Sequence, residues 1–201
     1  MLIVQNSPLI LASTSKIRKK ILQEVGLKFK VFPPLFDEEL AKEKLKLSPQ
    51  KLATFLAKQK ALSISKKFPN AYVIGSDQVC EFEKNEISKS KNIHEALNQL
   101  KKFNGKTHFQ NNAVAVALGG KIIFNKFSRV KLKMRQISEV EIEKYVSLEK
   151  PFGCAGSYKY ESLGKHLFEK ISGDYYSVLG LSIQPLISFL HDKKIIQILT
   201  N

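Results

Sequence analysis

"LILASTSKIRKKIL", residues 9–22, opens as a short apolar run, passes through Ser13, Thr14 and Ser15, and ends among Lys16, Arg18, Lys19 and Lys20. The apolar run reads as a buried strand. The segment from Ser15 onward reads as a helix, with Ser13 or Ser15 as N-cap, Ile17, Ile21, Leu22 and Val25 as apolar face and Gly26 as stop. Strand, hydroxyl-rich turn and helix N-terminus together also form an anion site, because free N–H groups and the helix dipole point outward there. Two readings stand side by side: a capped helix with a solvated basic face, or a pocket for a ligand with several negative charges.

The rest of the chain continues the alternation. "FKVFPPLFDEE" (29–39) is extended, its proline pair excluding a central strand. "SPQKLATFLAKQKALSISKKFP" (48–69) is a helix, with Ser48 as N-cap, Pro49 in the first position and Pro69 beyond the end. "AYVIGSDQVCEFE" (71–83) reads as a buried strand broken at Gly75, with a second short strand after it. "NIHEALNQLKKFNG" (92–105) is a helix ending at Asn104-Gly105. Residues 107–134 are strands around a Gly119-Gly120 hairpin turn. "SEVEIEKYVSLEK" (138–150) carries a Ser138/Glu141 capping box. A glycine-rich loop, a strand near "HLFEKI" and a helix near "IQPLISFLHD" complete the chain. Helices and strands alternate first and strands cluster later, so the expected class is α/β with a mixed sheet in a single domain over residues 1–201.

Composition narrows the function. A chain of 201 residues with 43% hydrophobic content can bury a real core. No run of about 18 apolar residues suggests a membrane span. "MLIVQNSPLILAS" lacks the basic and long apolar regions of a signal peptide, so the cytoplasm is the expected compartment. The net charge is +15, from 33 Lys and Arg against 18 Asp and Glu. Only Arg18, Arg129 and Arg135 are arginines, and the lysines are scattered rather than gathered into a stripe with aromatics. Compositional bias accounts for this better than nucleic-acid binding, although a diffuse positive field attracts any polyanion. Cys80 and Cys154 form no CxxC pair and read as reduced thiols. The histidines have no zinc spacing, so any metal would be held by oxygen.

Two acidic sites stand out. Asp77 in "IGSDQV" follows an apolar strand through Gly75 and Ser76, either as a carboxylate at a strand's C-terminal end, where α/β proteins place ligands, or as a turn former. Asp37 and Glu38 follow the proline-stiffened loop, either as a second carboxylate source for a Mg²⁺ shared with phosphates or as the acidic start of a helix. "GCAGSYKYESLG" (153–164) is a substrate-enclosing loop or a long loop with turn glycines. Together, cations at a helix N-terminus, two carboxylate sites and a polar glycine loop suggest a metal-assisted phosphate enzyme.

Five motifs, "LILASTSKIRKKIL", "FDEE", "LAKQKAL", "VIGSDQV" and "CAGSYKYESLGKHLFEKISGDYYSVLGL", occur in the order seen in the Maf family of nucleoside triphosphate pyrophosphatases. The chain resembles that family from about Leu9 to Leu186. The resemblance implies a cytoplasmic hydrolase cutting a nucleoside triphosphate to monophosphate and pyrophosphate with a divalent cation, Mg²⁺ or Mn²⁺. It implies a mixed twisted sheet with flanking helices, in two lobes around a deep cleft, similar to inosine triphosphate pyrophosphatases. It places the catalytic aspartate on Asp77, as proton acceptor or metal holder, and the acidic partner on Glu38. Phosphate contacts fall on Ser13, Arg18 and Lys19, and further substrate-binding lysines on Lys60 and Lys89. On its helix, Lys60 by itself reads as a solvated lysine.

Gln78 and "CAGSYKYE" resemble the branch that prefers 7-methyl-GTP over dTTP and UTP, whose specificity positions fall on Ile17, Gln78 and Glu161. An amide and a carboxylate can hydrogen-bond a purine edge. That branch carries a tryptophan at the first position, able to stack on a cationic methylated base, and Ile17 has no ring. The family's Ser-Pro-x-Arg-Arg is Ser15-Lys16-Ile17-Arg18-Lys19 here, and its Gly-Lys-Pro is Ser88-Lys89-Ser90. The alternatives are the same hydrolysis acting on dTTP and UTP, and a non-catalytic basic protein that binds nucleic acid or regulates cell division. A nucleoside triphosphate is the expected partner, with no stable nucleic-acid complex and no membrane. A twofold homodimer is the base-rate expectation.

Overall fold

The computed structural model describes residues 3–198. A seven-stranded mixed sheet forms its centre, in the order β3 (Phe29–Phe32), β2 (Leu9–Ala12), β4 (Tyr72–Phe82), β6 (Thr107–Leu118), β7 (Lys121–Met134) and β8 (Phe168–Ser172), with β5 (Asn85–Ile87) paired to β4. β2 runs parallel to β3 and β4, and the remaining pairs are antiparallel. β1 (Ile3–Gln5) and β9 (Ile196–Ile198) pair separately. The helices are α1 (Lys16–Glu24), α2 (Glu38–Lys44), α3 (Pro49–Ser65), α4 (Ile93–Phe103), α5 (Glu139–Glu149), α6 (Tyr175–Val178) and α7 (Ile183–Asp192), with a 3₁₀ turn at Leu163–Leu167. The expected mixed α/β class holds.

β4 organises the molecule. It runs without a break through Gly75, pairing with β6 in one register from Val73↔Ala117 to Glu81↔Phe109. The expected break at Gly75 is therefore corrected. The glycine is needed for a different reason: a Cβ there would meet the Ala57 carbonyl oxygen at 2.3 Å and the Ala61 nitrogen at 2.6 Å. Helix α3 thus crosses β4 at backbone contact, which only glycine permits. On its other edge, β4 pairs with β2 over Tyr72–Ile74 and with β5 over Cys80–Phe82. Residues 75–79 lie between these two partners, so β4 is open on that side where Asp77 and Gln78 sit.

Local chemistry explains most elements. Ser15 caps α1 by accepting from Arg18 N. Asp37 caps α2 through Leu40 N, so the acidic stretch after Pro34 is a helix start as well as a carboxylate source. Ser138 and Glu141 form the expected capping box on α5. The proline pair excludes a central strand as expected: β3 stops at Phe32 and lies at the sheet edge. One core cluster gathers Leu9, Leu11, Ile21, Leu22, Leu181 and Leu186, and another gathers Phe103, Leu132, Met134, Ile142 and Phe168. Tyr160 packs against both, which places it on the seam between these two clusters. Among the described residues, no helix is long and apolar enough to cross a membrane.

Candidate active site

A cavity of about 670 Å³ opens on that seam. Side chains alternate across a strand, so Asp77 and Gln78 face opposite sides of β4. Both nevertheless line the cavity. The unpaired stretch of β4 edge accounts for this, since no neighbouring strand separates the two faces there.

On the Asp77 side stands α3. Its buried residues run Leu52, Ala53, Leu56, Ala57, Lys60, Ala61 and Ile64, so Lys60 occupies an apolar stripe at helical spacing. The solvated reading of Lys60 is corrected: the residue is only 8% exposed. Its ammonium donates to Asp77 Oδ1, and lies 2.7 Å from Glu38 Oε2. Asp77 is 5% exposed, and its second oxygen makes no hydrogen bond among the described residues. Lys42 pairs with Glu38 at 3.3 Å and with Glu86 at 3.0 Å, extending the alternation of charge outward. Burial disfavours the Glu38 carboxylate, but Lys60 and then Lys42 outweigh it and hold its pKa at about 2.

The N-terminus of α1 closes one end of the cavity. Ser13 is buried, and its hydroxyl oxygen accepts from Ser15 N at 3.1 Å and from Arg18 Nη1 at 3.4 Å. The Arg18 N–H is taken by the Ser15 cap, so the hydroxyl hydrogen of Ser13 and the N–H groups of Lys16 and Ile17 are left to face an anion. No acidic side chain occupies that turn. Arg18 Nε donates to the Gly180 carbonyl at 2.8 Å, fixing the guanidinium's direction. Burial pushes the Arg18 pKa down, while Asp77 and then Glu38 push it back up only in part.

On the Gln78 side the loop after β8 sets the geometry. Gln78 Nε2 donates to the Ser177 carbonyl at 3.0 Å and to the Val178 carbonyl at 2.8 Å. Both amide hydrogens are consumed, so Gln78 offers only an acceptor. Gly180 has φ +100°, and a Cβ there would stand 3.4 Å from Gln78 Oε1 and 3.5 Å from Arg18 Nη2. Ser76 also donates to the Gly180 carbonyl, at 3.0 Å. Beneath them Asn112 donates to the Asp77 carbonyl at 3.1 Å and accepts from Ser182 N at 2.9 Å. One loop thereby orients Arg18 and Gln78, and one asparagine ties it to the aspartate's strand.

The cavity brings together Ser13, Ile17, Arg18, Glu38, Lys60, Asp77, Gln78, Lys89 and Glu161 of the residues singled out in the sequence. It does not bring Lys19 with them: that side chain lies exposed on the outer face of α1, and Lys16 lines the wall instead. The two differ in direction around the helix axis. Tyr158, Tyr160 and the 174–182 loop carry weight that sequence reasoning did not assign, although all lie within the long final motif. Cys154 also lines the cavity, but burial and then Glu161 raise its pKa, so it is held as a thiol. Among the described residues there is no group of three or more His, Cys, Asp or Glu side chains suited to a metal. Glu38 and Asp77 do converge on one cation, the Lys60 ammonium, which shows that their spacing suits a shared positive charge. Two carboxylates fit a hard cation that takes its other oxygens from phosphates and water.

The family profile described as Maf-like protein matches residues 8–193. A nucleoside triphosphate pyrophosphatase of Bradyrhizobium diazoefficiens is 38% identical over 195 residues, covering 96% of each chain. One from Legionella pneumophila (strain Lens) is 36% identical over 97% of this chain and 98% of its own. A 7-methyl-GTP pyrophosphatase of Rhizobium etli is 36% identical over 92% of this chain and 95% of its own. Among solved structures, a HAM1 protein from Coxiella burnetii aligns over 93% of this chain and 100% of its own, with a TM-score of 0.50 and 10% identity. That likeness is one of fold.

Proposed function

Since the chain belongs to the Maf family and is a nucleoside triphosphate pyrophosphatase, we propose that its substrate is 7-methyl-GTP or a similarly modified purine nucleotide. The observation that carries this reading is the Gln78 amide. With both hydrogens given to backbone carbonyls, it presents an acceptor, and Glu161 in the same wall presents two more. Guanine offers N1–H and N2–H₂ as adjacent donors, whereas uracil and thymine offer one imide N–H between two carbonyls. A wall of acceptors favours the purine, and the Glu161 carboxylate favours one carrying positive charge. The Rhizobium etli relative is named for this nucleotide.

The triphosphate would lie toward α1. Its charge would be met by the Lys16 and Ile17 amides, the Ser13 hydroxyl, Arg18, Lys16 and Lys89, of which Arg18 would also stabilise the negative charge growing on the leaving pyrophosphate. Glu38 and Asp77 would hold Mg²⁺ or Mn²⁺, which when bound neutralises phosphate oxygens and acidifies a water. The free Asp77 oxygen would accept the proton of the attacking water as its oxygen bonds to the α-phosphorus. The bond from that phosphorus to the bridging oxygen breaks, and pyrophosphate leaves.

The test is pyrophosphate release from 7-methyl-GTP, GTP, dTTP, UTP and CTP with Mg²⁺ or Mn²⁺, beside an Asp77→Asn control. Preference for 7-methyl-GTP that disappears in the variant supports the reading. Preference for dTTP or UTP overturns the substrate and keeps the reaction. Release undiminished in Asp77→Asn overturns the role of the aspartate.

A further inference from the structure

We infer that Tyr160 is the residue whose ring takes the nucleobase, and that Tyr160 and Glu161 together form a subsite for a cationic purine. The inference rests on the substrate reading above. The phosphates are assigned to the first turn of α1 and the Asp77 side of β4, and Gln78 faces the other side of that strand, so the base lies with Gln78. Gln78 is held by the Val178 carbonyl, Val178 and Leu179 belong to the two core clusters that Tyr160 packs against, and Tyr160 and Glu161 line the same cavity. Ile17, which completes that space, has no π-face.

Three aromatic side chains line the cavity: Phe152, Tyr158 and Tyr160. Tyr158 is committed elsewhere. It is buried, its hydroxyl oxygen accepts from Gln110 Nε2 at 2.7 Å and lies 3.0 Å from His108 Nε2, and its ring packs edge-on against His108 and Phe168. Phe152 packs against the core cluster on the β8 side and has no polar atom to orient a base. Tyr160 differs from both. It is part-buried on the seam, supported by Phe168 at 6.0 Å and Tyr175 at 5.7 Å between ring centroids. Its hydroxyl makes no hydrogen bond among the described residues and remains available to a ligand. Two rings behind it limit its rotation, so little side-chain freedom is lost when a base stacks on it.

A tyrosine face attracts a cation through its quadrupole, and a carboxylate one residue along adds a charge of the right sign. Methylation at N7 makes the guanine ring cationic, so this pair discriminates 7-methylguanine from guanine where hydrogen bonds to the shared Watson–Crick edge cannot.

The chain has no tryptophan, so Tyr160→Trp introduces a single fluorescent reporter. Titration with 7-methyl-GMP is expected to quench it more than GMP does, and pyrophosphate alone to leave it unchanged. Tyr160→Phe keeps the ring and loses the orienting hydroxyl, so it is expected to raise KM for 7-methyl-GTP and GTP alike while keeping the wild-type ratio of kcat/KM between them. Tyr160→Leu is expected to lower that ratio about tenfold. An unquenched indole in Tyr160→Trp, with an unchanged ratio in Tyr160→Leu, overturns the inference, as does a fall in that ratio confined to Phe152→Leu. A wild type that prefers dTTP or UTP, with the indole of Tyr160→Trp quenched by the matching monophosphate, overturns the 7-methyl-GTP reading and leaves Tyr160 as the base platform.

Discussion

Lys60 Nζ lies 2.7 Å from Glu38 Oε2 while donating to Asp77 Oδ1, so the ammonium sits where two carboxylates would share a divalent cation. Without nucleotide, a divalent cation would have to compete with a positive charge already in place. Phosphate oxygens would change that balance, because they would bring further ligands and a counter-charge for the displaced ammonium.

Lys60→Met should therefore tighten Mn²⁺ binding to the nucleotide-free protein by about tenfold or more, measured by calorimetry. The same change leaves Asp77 without its ammonium partner and Glu38 with Lys42 alone, at a cost to stability of about 3 kcal/mol. Added Mn²⁺ should raise the melting temperature of the variant more than that of the wild type. Equal Mn²⁺ affinity in the two proteins would show that the lysine does not guard the site.

Glu38 provides a pH test. Burial works against its charged form, yet Lys60 and then Lys42 hold its folded-state pKa at about 2, below an ordinary 4.5. A depressed carboxylate pKa contributes stability that is fully present above the unfolded value and disappears as pH falls through the folded one. The wild type should lose stability between pH 4.5 and 2 more steeply than Glu38→Gln, followed by urea midpoints across that range. Parallel curves would mean that the lysines do not hold the carboxylate down.

Gly75→Ala should be severe at a distance from the ligand. The new methyl would fall 2.3 Å from the Ala57 carbonyl oxygen, so α3 must move off β4. Because α3 carries Lys60, activity and stability should fall together. A loss of about 3 kcal/mol in urea unfolding is expected, with roughly a tenfold or larger drop in kcat. A fully active, fully stable variant would contradict the helix–strand contact.

These positions also mark the limits of legibility. The alternation of strand and helix, the α5 capping box and the Ser15-capped start of α1 follow from local rules and read directly. Gly75 reads locally as a breaker, because its cause is α3, which is remote in sequence. Lys60 carried a usable signal: it falls on the stripe Leu56, Ala57, Ala61 and Ile64, where a solvated lysine does not belong. The β1–β9 pair had none, since two strands of three residues from opposite ends of the chain meet only through tertiary packing. Gln78's role as an acceptor depends on two carbonyls about a hundred residues away, and no spacing rule reaches that far.

Lys16 and Lys19 offer the last separation of sequence pattern from geometry. Family resemblance points to Lys19, whereas the cavity wall contains Lys16 and leaves Lys19 exposed on the outer face of α1. A phosphate contact made through a partly solvated ammonium is worth roughly 1 kcal/mol, or about a fivefold change in KM. Lys16→Ala should raise KM for the triphosphate by about that factor, with little change in kcat, since the charge acts on ground state and transition state alike. Lys19→Ala should stay within about twofold of wild type in both constants, as an exposed charge in salt does. If the effects are reversed, α1 turns on binding substrate, and the family position prevails over the resting geometry. Measuring both variants at two ionic strengths separates a direct contact from the general pull of a strongly positive surface, because the general term fades with salt while the local one persists.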